Sequence, residues 1–150
     1  MLDQQVLQVT HDMANLIQEL IAITESDAVE MKKIQNSLSR GSMLLRLYTL
    51  IYRNAPLEEC LEQIQIYSNR TIECDAESWP KNPSIIRLVA FYCFWLTKYT
   101  DIILKISLNQ IEIEPQEDLR ELSIIQKGIL QEISAGITIN ITSKRIMIEY

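Results

Sequence analysis

The sequence predicts a mainly α-helical domain, a bundle of about five helices around a central hydrophobic helix at residues 83–108, with a small C-terminal β-hairpin. The central segment is apolar on almost every side, which is typical of a helix surrounded by other elements. The chain of 150 residues has three glycines and four prolines, so it predicts few turns and long elements. Apolar residues near the N-terminus recur at spacings of three and four, the period of a helix.

Two long helices are expected first, at about 3–24 and 27–53 in a single domain spanning residues 1–150. The first carries a heptad pattern of apolar residues, which predicts a coiled coil, in which a helix packs lengthwise against another. The second carries a similar pattern, so the two predict an antiparallel hairpin. The first pattern consists of Leu2, Val6, Val9, Met13, Leu16, Leu20 and Ile23. The second consists of Met31, Ile34, Leu38, Gly41, Leu45, Tyr48 and Tyr52.

Shorter elements follow the hairpin. A helix is expected at about 56–68, and residues 69–81 lose the apolar period, which predicts an exposed loop. Asn82 followed by Pro83 is a capping residue and a first-turn proline, and predicts the start of the hydrophobic helix at about 83–109. A last helix is expected at about 116–134. Strict alternation of isoleucines predicts the β-hairpin at about 137–150.

Composition limits the classes of partner. The formal net charge of −6 disfavours a broad contact with nucleic acid or an anionic membrane, and charges interrupt the hydrophobic helix too often for a membrane span. Three cysteines without a C-x-x-C pair indicate reduced thiols, and hence a cytoplasmic, reducing compartment.

No motif of catalysis, metal binding or cofactor binding is found, so the sequence predicts no enzyme, cofactor, metal site or catalytic residue. His11 is the single histidine, beside Asp12 on the polar side of the first helix, where a solvated side chain is expected. One histidine and scattered cysteines offer no four-ligand zinc site. The three glycines are too far apart for a phosphate-binding loop.

A candidate protein-binding surface lies on the hydrophobic helix. At about 100° per residue, Arg87, Phe91, Phe94 and Lys98 fall on one stripe. Aromatic side chains flanked by cations on an exposed stripe are typical of protein-binding surfaces. In the alternative interpretation these rings are buried, covered either by the C-terminal hairpin or by the first two helices. The isoleucines of the hairpin favour this alternative, because they need a surface to pack on.

The sequence therefore predicts a non-enzymatic protein–protein interaction module: a small adaptor, chaperone or inhibitor with a protein partner. The heptad pattern of the first helix pairs either within the chain or across a homodimer. A first alternative is a helical accessory subunit of a nucleoprotein complex that uses Lys33, Arg46 and Arg53. A second is an enzyme or small-ligand binder with a pocket lined by Trp79, Trp95 and tyrosines.

Overall fold

The computed structural model describes the backbone of residues 2–25, 31–134 and 136–150, and their side chains except those of residues 2–7, 10, 23–25, 31, 125 and 132. A helical hairpin precedes an α/β unit in which helices pack on a five-stranded mixed sheet. The elements in chain order are α1 (Leu2–Glu25), α2 (Met31–Tyr52), α3 (Leu57–Ser68), β1 (Ile72–Ala76), α4 (Pro83–Leu96), β2 (Ile102–Ile106), β3 (Gln110–Pro115), α5 (Ile124–Ile133), β4 (Thr138–Ile141) and β5 (Ile146–Glu149).

The sheet has the strand order β1-β2-β3-β5-β4. β1 pairs with β2 in parallel, with Ile72 opposite Ile102, and α4 makes the crossover that a parallel pair requires. The other three pairs are antiparallel. Burial alternates along β2, β3 and β5, so one face of the sheet is buried and the other contacts solvent.

The predicted helix at 83–109 is wrong beyond residue 96. α4 begins as predicted, because the Asn82 side chain accepts a hydrogen bond from the Ser84 N–H at 2.9 Å. It ends at Leu96, and Ile102–Ile106 forms a strand with alternating burial. The physical reason is that this run is rich in β-branched residues and lies between two strands that pair with both of its edges. A run of apolar residues did not by itself distinguish a buried helix from a buried strand.

The bundle prediction is therefore wrong, and the fold is α/β. The expected loop at 69–81 contains β1, one of the two edge strands of the sheet, and the helix expected at 116–134 begins only at Ile124. Ser123 and Gln126 form a capping box that fixes this start: the Ser123 Oγ accepts from the Gln126 N–H, and the Gln126 Oε1 accepts from the Ser123 N–H. The C-terminal hairpin is confirmed, as β4 and β5, but it extends the sheet through β3.

The helical hairpin of α1 and α2 is present, although the start predicted at residues 27–30 lies outside the described residues. Within the first pattern, Leu16 is buried with Val9 and Met13 packed beside it, whereas the side chains of Leu2, Val6 and Ile23 are outside the described set. The second pattern is partly wrong. Leu38 and Leu45 are 58% and 49% exposed.

The buried face of α2 instead consists of Leu44, Leu47, Tyr48 and Ile51, which pack against the α/β unit. This face gives no support to a coiled coil, since it packs α2 on the α/β unit rather than on a long partner helix. Among the described residues, no helix is long and apolar enough to cross a membrane.

Candidate functional site

His11 and Asp12 lie on α1 where the helical hairpin meets the α/β unit. The His11 side chain is 59% exposed, and the Asp12 side chain is only 12% exposed. The His11 Nδ1 lies 3.6 Å from the Asp12 Oδ1, slightly beyond hydrogen-bond distance. The pair therefore places an accessible imidazole beside a carboxylate that is nearly buried.

Two hydrogen bonds fix the Asp12 carboxylate. The Tyr48 hydroxyl of α2 donates to Oδ2 at 2.7 Å, and the Gln8 Nε2 donates to Oδ1 at 3.0 Å. Burial, and then the charge of Asp12, raises the pKa of Tyr48 well above its usual range, so its hydroxyl remains a donor at any physiological pH. The carboxylate is thus held in one orientation beside His11.

Tyr48 also connects the hairpin to the core. Its ring centroid lies 6.4 Å from that of Phe91 and 6.0 Å from that of Phe94, both in α4. These distances are within the range of favourable aromatic pairs. The side chain that orients Asp12 is therefore itself packed on the central helix of the α/β unit.

A cleft of about 360 Å³ opens beside Asp12, between the hairpin and the α/β unit. One side is lined by α1, with Asp12, Asn15 and Glu19, and Arg40 of α2 also contributes. The α/β side supplies Lys98 just beyond α4. His11 is not one of the lining residues, but Asn15 lies one turn along the same face of α1. Two cations thus line a cleft that begins next to the histidine.

The predicted protein-binding stripe is not an exposed surface. Phe91 and Phe94 are 0% and 2% exposed, and Tyr48 of α2 covers them, so the alternative in which the first two helices cover the rings is confirmed. Arg87 is half-buried and donates to the Asn54 Oδ1 at 2.9 Å. Only Lys98 is exposed, with its Nζ 5.0 Å from the Phe94 ring centroid.

The residues of the nucleic-acid alternative do not converge on a site. Lys33, Arg46 and Arg53 are all exposed. They are spread along α2, and Arg53, just beyond the end of the helix, is 20 residues from Lys33. None of them lines the cleft beside Asp12.

Trp95, named for a possible pocket, does line a second cavity. This cavity of about 390 Å³ lies between the end of α4, residues 119–122, α5 and the C-terminal hairpin. Trp79 is not part of it. Within the described ranges, no group of three or more histidine, cysteine, aspartate or glutamate side chains is arranged to hold a metal ion.

Comparison with solved structures identifies the fold. A structure described as a bacterial phosphotransferase matches with a TM-score of 0.67 and 14% identity, over 98% of this chain and 95% of that one. The histidine kinase domain of a blue-light-activated histidine kinase from Erythrobacter litoralis EL346 matches with a TM-score of 0.57 and 13% identity, over 91% and 92%. This is the fold of those two proteins. No protein-family model and no curated protein sequence matches the chain.

This likeness contradicts the prediction of a non-enzymatic adaptor, chaperone or inhibitor built on a helical bundle. The prediction was made by elimination, from an absence of motifs and from an exposed stripe of aromatic residues. The stripe is buried, and the fold is shared with proteins described as a phosphotransferase and a kinase domain. The prediction that the protein is not an enzyme is therefore corrected to this extent: the chain has a fold that proteins described as a phosphotransferase and a kinase domain adopt. The helical-bundle and coiled-coil descriptions are wrong.

Sequence reasoning missed His11 as a functional candidate. A single histidine on a polar helix face is usually a solvated side chain, and nothing local distinguishes it. The signal that was available is the adjacent Asp12, an acidic residue beside the only imidazole of the chain. Its significance depends on Tyr48 and Arg40, which are distant in sequence and reach the site only in the folded protein.

Proposed function

We propose that this protein is a phosphotransferase that carries a phosphoryl group on His11. The observation that carries the proposal is an exposed imidazole beside a carboxylate held by two hydrogen bonds, in a fold shared with a bacterial phosphotransferase and a histidine kinase domain. Phosphoryl transfer depends on positioning and electrostatic stabilisation, for which such a pair is suited.

In the proposed reaction the neutral imidazole is the nucleophile. When Asp12 accepts the Nδ1–H, the Nε2 lone pair is free to attack phosphorus. An N–P bond forms and the P–O bond to the donor breaks, and the donor oxygen leaves with the bonding electrons. The phosphorylated imidazole is cationic while it retains the Nδ1 proton, and the Asp12 carboxylate stabilises that charge. Return of the phosphoryl group to an acceptor oxygen reverses these steps.

The cations of the cleft support the same reaction. Arg40 and Lys98 line the cleft beside Asp12, where they offset the charges of Asp12 and Glu19 and supply donors for the oxygens of a phosphoryl donor or acceptor. We expect a donor with a good leaving group, such as an acyl phosphate, rather than ATP. The chain has only three glycines, at positions 41, 128 and 136, so it lacks a glycine-rich loop that holds nucleotide phosphates.

The decisive experiment is phosphorylation of the full chain by acetyl phosphate or phosphoramidate, followed by intact mass analysis. We expect one phosphoryl group, lost in acid and stable in alkali, as a phosphoramidate linkage requires. His11→Gln abolishes it, whereas the matched control Gln18→Ala, an exposed change on the same helix, leaves it intact. Labelling that persists in His11→Gln, or an adduct stable in acid, contradicts the proposal.

The homodimer expected from the sequence remains a proposal, with a different surface. Leu38 and Leu45, seven residues apart and therefore on one face of α2, are exposed, as is Ile17 of α1. We propose that a second copy buries this face. Light scattering on the Leu38→Glu and Leu45→Glu variants, with Leu108→Glu as an exposed control, tests it: a monomeric parent protein refutes the dimer.

We also propose a cytoplasmic, reducing environment. The three cysteines are unpaired, and Cys60 and Cys93 are buried. Burial raises the pKa of Cys60 to about 11 and raises that of Cys93 as well, so both remain neutral thiols and unreactive. Labelling of the native protein by a thiol reagent should reach Cys74 alone.

A further inference from the structure

The second cavity has the size of a small-molecule site. Its volume of about 390 Å³ falls in the range of about 300–1,000 Å³ that is usual for such sites. Its walls are largely apolar and include the aromatic side chains of Tyr92, Trp95 and Tyr99. Leu122 and Ile146 line it from the 116–123 segment and β5. These five residues do not line the cleft beside Asp12, although Lys98 lines both cavities.

One wall of the cavity contains a hydrogen-bond donor that lacks a partner. Trp95 is 3% exposed, and its Nε1 is buried with no hydrogen bond to any described residue. An indole N–H has no acceptor function, and leaving it buried and unpaired is costly. Because Nε1 itself has almost no accessible surface, it lies behind the wall of the cavity, and the Trp95 ring contributes apolar surface to that wall.

The rim of the cavity is cationic. Lys98, Arg120 and Lys127 line it together with a single carboxylate, that of Glu121. Glu121 is engaged by the Lys127 Nζ at 3.3 Å. The Arg120 guanidinium lies 4.2 Å from the ring centroid of Tyr99, so a cation is stacked directly on the aromatic wall. Arg120 is also paired with Glu117 at 3.7 Å. Two of the three cations therefore have a carboxylate beside them, and Lys98 supplies the remaining positive charge that favours an anion at the rim.

We propose that this cavity binds a small apolar carboxylic acid, an aryl or branched-alkyl carboxylate. The apolar body packs between the aromatic and aliphatic walls. The carboxylate is the anion that Lys98 and Arg120 attract at the rim. A nucleotide is disfavoured because no glycine-rich loop is present in the sequence to hold its phosphates.

Naphthalene-2-acetate is a suitable probe, and the two tryptophan indole N–H signals in a ¹H–¹⁵N spectrum are the readout. Trp79→Phe assigns them. We expect saturable movement of the Trp95 signal with a Kd below about 1 mM, the weak end of small-ligand affinity, while the Trp79 signal stays in place. The neutral matched compound, naphthalene-2-acetamide, should bind at least about tenfold more weakly, because it lacks the charge.

Two sets of variants test the apolar walls and the charged rim of the cavity separately. Leu122→Phe fills the cavity, and Lys98→Gln with Arg120→Gln removes charge from the rim; each should weaken binding about fivefold or more. Lys81→Gln, an exposed change elsewhere, is the matched control and should have no effect. An unmoved Trp95 signal, equal binding of the acid and the amide, or a stronger response to ADP than to the acid overturns the proposal. The readout does not involve His11, so its failure is distinct from failure of phosphotransfer.

Discussion

The hydrogen bond from Tyr48 to Asp12 gives a sharp test of the site geometry. Tyr48→Phe removes one hydroxyl and keeps the ring, so the contacts with Phe91 and Phe94 are retained. The lost bond is short, at 2.7 Å, and its acceptor is a carboxylate that is 12% exposed. Hydrogen bonds to charged groups contribute about 1.5–3 kcal/mol, and the lower part of this range applies because Gln8 continues to donate to Asp12.

We therefore expect Tyr48→Phe to lower the free energy of unfolding by about 1.5 kcal/mol, or the Tm by roughly 3–6 °C for a chain of this size. Urea denaturation followed by circular dichroism at pH 7 measures it. Tyr150→Phe is the matched control, because that hydroxyl donates to a backbone oxygen at an exposed site, at 3.3 Å. A double-mutant cycle with Asp12→Ala should give a coupling of about 1 kcal/mol. Equal effects at positions 48 and 150, or additive behaviour in the cycle, would refute the reasoning.

Three further changes test the core, a helix start and the response to pH. Phe91→Ala should lower the free energy of unfolding by about 3–5 kcal/mol in urea titrations, because the ring is fully buried. A loss below about 1 kcal/mol would contradict the burial of the Phe91 ring. Ser123→Ala should cost about 1 kcal/mol in the same assay, through loss of the capping box of α5, whereas the exposed neighbour Glu121→Ala should cost much less. Burial raises the pKa of Tyr92 to about 12 from the ordinary value of 10, so the folded state retains a proton that the unfolded state loses. Stability therefore falls from pH 10 toward 12, by up to about 1.4 kcal/mol per pH unit, and Tyr92→Phe should flatten this slope in denaturation curves across that range; an unchanged slope would contradict the burial of its hydroxyl.

The sequence predicted elements well wherever one local rule decided them. Strict alternation located the β4–β5 hairpin, and the Asn82–Pro83 pair located the start of α4. The short apolar stretch after Leu96 is ambiguous, because a short apolar run fits a segment of a buried helix as well as a strand. Pairing with β1 and β3 decides the structure of Ile102–Ile106, and pairing is a non-local property. The misassignment of this segment, together with the strand β1 inside the expected loop at 69–81, accounts for the wrong fold class.

The site was hidden from sequence reasoning for a similar reason. A histidine next to an aspartate is ordinary on a solvated helix. His11 becomes a candidate nucleophile only in the folded protein. There Tyr48, which is 36 residues from Asp12 in the sequence, orients the Asp12 carboxylate, and Arg40 and Lys98 approach from other elements. The error at Phe91 and Phe94 is of the opposite kind. Helical spacing correctly predicts that they share one stripe of the helix, but spacing does not say which element covers that stripe.

The outer face of the sheet bears on how the folded protein avoids aggregation. On that face the Arg145 guanidinium pairs with Glu112 at 3.3 Å, and the Lys105 ammonium lies 3.7 Å from Glu114. Another sheet stacked on this face would have to strip water from these four charges, a penalty that apolar contact does not recover. Replacement of these four residues by uncharged ones would preserve the fold but favour the stacking of sheets into insoluble assemblies.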